Sequence, residues 1–278
     1  MLKKWFDAGY IDKGKLYQME RGTVQGSSIS PTMLNATMSG LEQAVKAVSE
    51  PKDKVNVIVY ADDFVITGAT AEVLENKIKP MVKAFLNERG LNLSPEKTKI
   101  SHIQDGFDFL GFNVRKYGQK LLIKPSKAGI KRFLGDIRKT IKSKPSVKTE
   151  DLILIINPKL RGWGNYFRHV VSKDIYHYVD SNIFKALWQW TKRRHPNKSS
   201  KWIQKKYFRS HNLRNWIFYT KIQSEEKQSS NLDLFYMGTI PIKRHVKIRS
   251  LATPYDPAFN EYFKKRGIKR SKVEELGQ

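Results

Sequence analysis

The stretch Val55–Gly68 reads Val-Asn-Val-Ile-Val-Tyr-Ala-Asp-Asp-Phe-Val-Ile-Thr-Gly, and the rest of the chain is organised around it. Val55, Val57 and Val59 alternate with Asn56, Ile58 and Tyr60. A period of two in β-branched residues favours a strand over a helix. A second apolar run, Phe64 to Thr67, comes at once, with Ala61, Asp62 and Asp63 between. Two strands joined by adjacent acids predict a tight hairpin with carboxylates at its tip. Asp is common in turns because its side chain bonds to nearby backbone, so one reading is a solvated turn. The other is a divalent-metal site. Mg²⁺ takes carboxylate oxygens and keeps waters and substrate phosphates as its remaining ligands. The choice depends on what surrounds the hairpin.

The chain has 278 residues, 40% hydrophobic and 12% aromatic, enough for one large domain or two ordinary ones with a packed core. No apolar run approaches the length of a membrane span, so no membrane partner is expected. The first residues carry lysines but no apolar signal-peptide region. The absence of cysteine excludes disulfides, thiol catalysis and Cys-ligated zinc, and it fits a reducing compartment. A bacterial cytoplasm is expected, with an organelle as the alternative. Charge is more informative. Residues 1–112 hold 14 basic and 14 acidic side chains, whereas residues 113–278 hold 38 and 12, so the entire excess of +26 lies in the rear. A neutral front and a basic rear imply two modules, the second facing a polyanion. Nucleic acid is the expected partner, because aromatic residues are interleaved with the basic ones.

Ahead of the hairpin, Asp12-Lys13-Gly14-Lys15 predicts a turn between two short extended pieces, after a helix tail over Lys3–Gly9. Arg21 to Ser28 is a Gly/Ser loop, and Ser30-Pro31 opens a helix expected to run to Val48. A Gly/Ser loop entering a helix N-terminus can meet phosphate, although plain loop chemistry explains it equally well. The order of these pieces carries the resemblance. Gln25-Gly26-Ser27-Ser28-Ile29-Ser30-Pro31, with Tyr60-Ala61-Asp62-Asp63 about 35 residues later, resembles the reverse transcriptase palm. Val24 stands where that family usually has proline.

Behind the hairpin a helix is expected from Thr70 to Arg89, with Leu74, Ile78, Val82 and Phe85 on one face and Gly90 closing it. Strands are expected at Lys99–Ile103, at Phe107–Val114 after a Gln104-Asp105-Gly106 turn, and at Leu121–Ile123. In the palm resemblance, Lys97 corresponds to a lysine near the incoming nucleotide's phosphates. Phe109-Leu110-Gly111-Phe112 corresponds to the hairpin that holds the primer end, which makes Leu110 and Gly111 primer-binding candidates beside Gln25, Gly26 and Tyr60.

From Pro125 the character changes. An amphipathic helix with Ile130, Phe133, Leu134, Ile137 and Ile141 inside carries Lys127, Lys131, Arg132, Arg138, Lys139 and Lys142 outside. Short helices are expected from Thr149 to Ile155 and from Lys159 to Val171, and a longer one from Asp174 to Arg194. Trp163 and Trp188 are read first as core. The interleaved Arg161, Arg168, Lys192, Arg193 and Arg194 fit phosphate contacts and base stacking, and Lys127, Lys131, Arg132 and Arg138 on the preceding basic helix face join them as RNA-binding candidates. Arg161-Gly162-Trp163-Gly164-Asn165-Tyr166-Phe167-Arg168 with Trp190 to Pro196 resembles the maturase-specific domain of group II intron-encoded proteins. Beyond Arg209 a polar loop at Ser224–Asn231, short strands at Leu234–Ile242 and His245–Ile248 and a last helix near Asp256–Phe263 are expected. Thr253-Pro254-Tyr255-Asp256-Pro257 resembles the run that leads into an HNH endonuclease in that family. No cysteine pairs come after it, so no endonuclease is expected.

The expected fold is therefore α+β. A partial reverse transcriptase palm at 1–124, a small antiparallel sheet with covering helices, precedes an all-α thumb/maturase bundle at 125–208 and a mixed basic extension at 209–278. The resemblance implies an RNA-directed DNA polymerase that also binds intron RNA and assists splicing. Its partners would be intron RNA, an RNA template with a DNA primer, and deoxynucleoside triphosphates. Two Mg²⁺ ions about 3.5–4 Å apart would activate the primer hydroxyl and bridge the triphosphate. Asp62 and Asp63 match two of the family's three metal-binding aspartates. The third comes from an earlier strand, and only Asp7, Asp12 and Glu20 precede Gln25, none in an apolar strand. The chain is thus expected to be a fragment, from a split gene, a truncated copy or an internal start, that does not polymerise alone, with a complementing N-terminal fragment as a candidate partner. The alternative function is a non-catalytic splicing cofactor that uses only the basic helices.

Overall fold

A computed structural model describes residues 9–17, 29–212, 214–223, 229–249 and 252–275. All of the expected helix tail at Lys3–Gly9 except Gly9, the Gly/Ser loop at Arg21–Ser28 and most of the polar loop from Ser224 lie outside the described residues. The chain divides into two compact units, Met1–Ser126 and Lys127–Gln278.

In the first unit, β1 (Tyr10–Asp12) and β2 (Lys15–Tyr17) form the expected short hairpin around Gly14. The helix expected from Pro31 to Val48 is instead two, α1 (Ser30–Met38) and α2 (Leu41–Val48). The break falls at Ser39-Gly40. Gly40 takes φ +89°, a left-handed conformation that glycine adopts without the penalty of a side chain. Then β3 (Asn56–Tyr60) and β4 (Asp63–Thr67) form the hairpin read from the sequence, with Val57 opposite Ile66 and Val59 opposite Phe64. Val55, Val57, Phe64 and Ile66 pack onto a core of Met38, Leu41, Val45, Ile78, Val82, Phe85 and Leu86. Each fully buried aliphatic side chain there contributes about 1.5–3 kcal/mol.

The helix behind the hairpin begins at residue 71, as expected, but Val73–Ile78 is π-helical before α3 (Lys79–Asn87) resumes the ordinary geometry. Its end is a Schellman motif. Leu91 N–H donates to Leu86 C=O at 2.9 Å and Gly90 N–H to Asn87 C=O at 3.0 Å, with Gly90 at φ +70°. Leu86 and Leu91 both pack into the core, completing the apolar contact that accompanies this cap. Asp53 ties the base of the hairpin to the π segment. It accepts from Glu50 N–H and Lys77 Nζ, each at 2.9 Å. The Glu50 N–H, with help from Lys77, holds its carboxyl below the usual range.

A separate antiparallel sheet comes next, ordered β5 (Phe107–Phe109), β6 (Phe112–Tyr117) and β7 (Lys120–Pro125). The expected strand at Lys99–Ile103 is not formed. Ile103 C=O accepts one bond, from Lys116 N–H at 2.9 Å, and the chain then turns away through His102–Gly106. The expected single strand Phe107–Val114 is instead two strands around a tight turn at Leu110-Gly111, both with positive φ (50° and 79°). Positive φ at both central residues suits a two-residue hairpin loop, with leucine in a place usually held by Asn or Gly.

The second unit is built on α4 (Lys127–Lys142), α5 (Thr149–Phe167), α6 (Lys173–Arg194) and α7 (Ser200–Tyr207). The two short helices expected around Asn157-Pro158 are one continuous helix. Pro158 and Leu154, whose carbonyl Pro158 leaves without a donor, are both exposed, so water can reach the gap. Asn157 is buried and spends its side chain elsewhere. It donates to Asp233 C=O at 3.0 Å and accepts from Phe235 N–H at 2.7 Å. The strands expected at Leu234–Ile242 and His245–Ile248 do not form. The sheet lies earlier, as β8 (Phe208–His211), β9 (Arg214–Gln223) and β10 (Ser229–Asp233), with β9 central. After it, Met237–Thr239 makes a 3₁₀ turn held by α6. Asp180 accepts from Met237 N–H (3.2 Å) and Gly238 N–H (3.0 Å), and Lys173 Nζ donates to Gly238 and Ile240 carbonyls. A last helix, α8 (Asn260–Glu275), runs further than the sequence pattern implies.

Candidate metal hairpin and nucleic-acid interface

Asp62 and Asp63 stand at the tip of the β3–β4 hairpin, both exposed. Neither side chain has a hydrogen-bond or ion-pair partner among the described residues. A turn aspartate kept for local structure would spend its oxygens on nearby backbone. These two do not, so their oxygens are open to solvent or to a ligand. Ala61, just before them, takes φ +53°. A non-glycine residue in this region is uncommon, and such strain tends to cluster at functional sites. Tyr60 lies directly opposite Asp63 and is 63% exposed, with Ile58 beside it on the same face at 55%. The outer surface of this hairpin is thus apolar and aromatic, ending in unspent carboxylates.

The donor set fits Mg²⁺ in kind, being two hard carboxylate oxygens from adjacent residues. Among the described residues no group of three metal-type side chains comes together, so they form no complete metal centre around Asp62 and Asp63. Of the other palm candidates, Gln25 and Gly26 lie outside the described residues. Lys97 is exposed in a turn with no side-chain partner among the described residues. Leu110 and Gly111 form the β5–β6 turn, in a different sheet from the aspartates, so no ladder joins the two hairpins.

In the second unit the nine basic candidates separate into groups. Lys127, Lys131 and Arg132 are exposed on the first turns of α4 with no side-chain partner among the described residues. Arg193 is likewise exposed, beside a cavity of about 600 Å³ that Lys142, Trp190 and Arg194 also line. Arg168 is half-buried at the end of α5. The remaining four are engaged within the fold. Arg138 donates to Asn182 Oδ1 at 2.7 Å, joining α4 to α6. Arg161 lies 4.9 Å over the Phe235 ring and Lys192 5.6 Å over Trp188. Arg194 donates to Val147 C=O and stacks 5.0 Å over Trp190. Charge in the sequence marks this last set as RNA-binding, but the geometry gives its members structural partners first.

Two features escaped the sequence reading. Trp202 is flanked by Lys198 and Lys206, whose ammonium groups lie 5.5 and 4.8 Å over its ring. The spacing of four residues between 198, 202 and 206 was the available signal. His195 packs edge-on to Trp202 and meets Tyr207 Oη at 2.7 Å. Burial, aided by Lys206, Arg194 and Lys198, holds the imidazole below its ordinary range and so favours its neutral form. The second is Gly164, in the middle of α5. A Cβ there would sit 2.2 Å from Ile240 Cδ1, so the glycine is what lets the Met237–Ile240 segment lie against the helix.

Comparison with known proteins gives two family matches. Residues 1–114 match the reverse transcriptase (RNA-dependent DNA polymerase) family, and residues 130–208 match the group II intron, maturase-specific domain. Protein YkfC of Escherichia coli K12 is 29% identical over 159 residues, covering 44% of this chain and 41% of that protein. The ribosomal operon-associated A protein of Euglena longa is 29% identical over 128 residues, 45% of this chain and 25% of that protein. The group II intron-encoded protein LtrA of Lactococcus lactis subsp. cremoris is 23% identical over 255 residues, 60% of this chain and 43% of that protein. The chain spans less than half the length of these relatives.

Proposed function

Because the chain belongs to the group II intron reverse transcriptases and maturases, we propose that it supplies the aspartate pair of an RNA-directed DNA polymerase and the basic helical grip on intron RNA. The observation that carries this reading is the pair of exposed, partnerless carboxylates of Asp62 and Asp63 at a strained hairpin tip, in one chain with a strongly basic helical unit. Mg²⁺ bound there would supply Lewis-acid stabilisation of the transferring phosphate and activation of the primer hydroxyl. The chain's own contributions are positional. Asp62 and Asp63 offer oxygens from a rigid two-strand base. Tyr60, exposed next to them, provides a ring face on which a primer or nucleotide sugar can rest. Lys97 and the Leu110-Gly111 turn are the candidates for triphosphate and primer contact. Lys127, Lys131, Arg132 and Arg193 are free to meet RNA phosphates without dismantling the fold.

The test is primer extension on poly(rA)/oligo(dT) with Mg²⁺ or Mn²⁺, by the chain alone and mixed with a separately expressed upstream palm segment from a related protein. Extension is expected in the mixture. Asp62→Ala with Asp63→Ala should abolish it while leaving RNA affinity within about twofold, since exposed substitutions usually cost less than about 0.5 kcal/mol. Extension that survives the double substitution would overturn the role of the hairpin. A second reading, a splicing cofactor that uses only the basic unit, is favoured by the absence of a third carboxylate beside the pair among the described residues. It is supported instead if RNA binding is retained and no complemented extension is found.

A further inference from the structure

A half-open cavity of about 730 Å³ lies in the second unit, within the range of roughly 300–1,000 Å³ usual for ligand sites. One wall is α6, which presents His177, Ser181, Phe184 and Trp188 at helical spacing. The other is the start of β9, with Arg214, Asn215 and Trp216. The rings of Phe184, Trp188 and Trp216 meet mainly edge-to-face, Trp188 and Trp216 with centroids 5.7 Å apart at 73°.

Trp216 is the unusual member. It takes φ +63°, an outlier for a bulky side chain. The ladder explains how. Arg209 pairs with Ile217 and His211 with Arg214, so β9 carries an extra residue at Asn215-Trp216, a β-bulge. Bulges re-aim side chains and are enriched beside functional sites. A tryptophan placed only to fill the core would be covered, yet Trp216 remains 43% exposed at the cavity rim. The fold holds a strained backbone in order to present an aromatic face to solvent.

The polar groups around it complete a pattern. The side chains of Ser181 and Asn215 have no partner among the described residues. The Arg214 guanidinium stacks 4.0 Å over the Tyr236 ring, leaving its charge at the rim. Aromatic faces, an unspent amide and hydroxyl, and a cation at the edge suit a planar base attached to a phosphate. The basic charge of residues 113–278 favours the same polyanion. An apolar peptide side chain would leave the amide and hydroxyl unpaired.

We infer that this cavity receives a single unpaired base of an RNA strand, stacked against Trp216 and Trp188 and read on its edge by Asn215 and Ser181. The inference rests on the RNA-binding reading above and makes it specific: the second unit distinguishes an extruded base from paired RNA. Unpaired bases stacked on aromatic rings are a general mode of RNA recognition, and one such contact changes affinity by roughly 5- to 150-fold.

The test uses the full chain and three RNA hairpins of equal length: one with a single bulged 2-aminopurine, one abasic at that bulge, one fully paired. The bulged hairpin should bind about tenfold more tightly than the other two, with its 2-aminopurine fluorescence quenched. Trp216→Ala should reduce it to the abasic level, and Trp216→Phe should retain most of the preference. Asn215→Ala, a change of an exposed side chain, should lower affinity for the bulged hairpin alone. Lys131→Ala should weaken all three alike. Equal binding of the three RNAs by the unaltered chain overturns the pocket and leaves the RNA-binding reading standing. Failure to bind any of them overturns both.

Discussion

Phe133 on α4 and Trp163 on α5 lie face to face, their ring centroids 4.8 Å apart and their planes 12° from parallel. Trp163 also meets Phe167 and Tyr176, so one half-buried indole joins three elements. Trp163→Ala should destabilise the helical unit by about 3 kcal/mol, the lower end of the range for large aromatic truncations. A double-mutant cycle with Phe133→Leu should show a coupling of about 0.5–1.5 kcal/mol. Urea unfolding measures both. A loss below about 1 kcal/mol would mean that Trp163 is held for RNA contact and not for packing.

The two glycines that flank Trp163 should respond differently. At Gly164 an added methyl meets Ile240, and Tyr176 Oη already donates to the Gly164 carbonyl at 2.6 Å. Gly164→Ala should cost about 1–3 kcal/mol through overpacking and be partly rescued by Ile240→Val. Gly162 has open space and lies exposed within the helix. Gly162→Ala should stabilise by up to about 1 kcal/mol through helix propensity.

Asp180 gives the second unit a pH signature. Burial pushes its carboxyl up to about 6, against the opposing pull of the Gly238 and Met237 N–H groups, His177 and Arg214. A carboxyl raised in the folded state binds its proton more tightly there than in the unfolded chain. Its contribution to stability is therefore fully present below pH about 4 and is lost as pH rises through about 6. Asp180→Asn keeps an acceptor for one of the two N–H groups and removes the titration. The difference in Tm between variant and parent should shift in favour of the variant from about pH 4 to about pH 7. A constant difference would show that the carboxyl is not raised.

Salt dependence separates surface cations from structural ones. Replacing Lys127, Lys131 and Arg132 by alanine should reduce the slope of log K against log salt by about 2 for single-stranded RNA, with Tm unchanged. Arg194→Ala should instead lower Tm, because it removes the donor to Val147 C=O and leaves the Trp190 bond to Lys144 C=O to hold the loop before α5. The opposite assignment of the two effects would place the RNA contact at the C-terminal end of α6.

The hairpin was legible because its two signals are local. Alternation in Val55–Tyr60 and the acids after Ala61 needed no partner from elsewhere. Where the reading failed, a distant contact or a backbone conformation decided. Ser39-Gly40 breaks a helix whose apolar spacing is continuous, since periodicity does not report a left-handed glycine. Pro158 has the sequence signal of a helix start but sits on an exposed face where water can reach the carbonyl left without a donor. The strands after Arg209 depend on β9, whose alternation is interrupted by the bulge at Trp216. Composition marked Arg138, Arg161 and Arg194 as phosphate ligands, but it could not show that Asn182, Phe235 and Val147 reach them first.

The π-helical turn at Val73–Ile78 has a consequence for descent. Such a turn winds more residues into each turn than an α-helix does, so it is a place where an extra residue can be absorbed without rotating the helical turns beyond it. Deleting one residue within it would restore ordinary winding and leave Val82, Phe85 and Leu86 in phase with the core. Deleting one within α3 would swing those three away by about 100°. Among relatives of this chain, length differences in the helix should therefore collect between Val73 and Ile78.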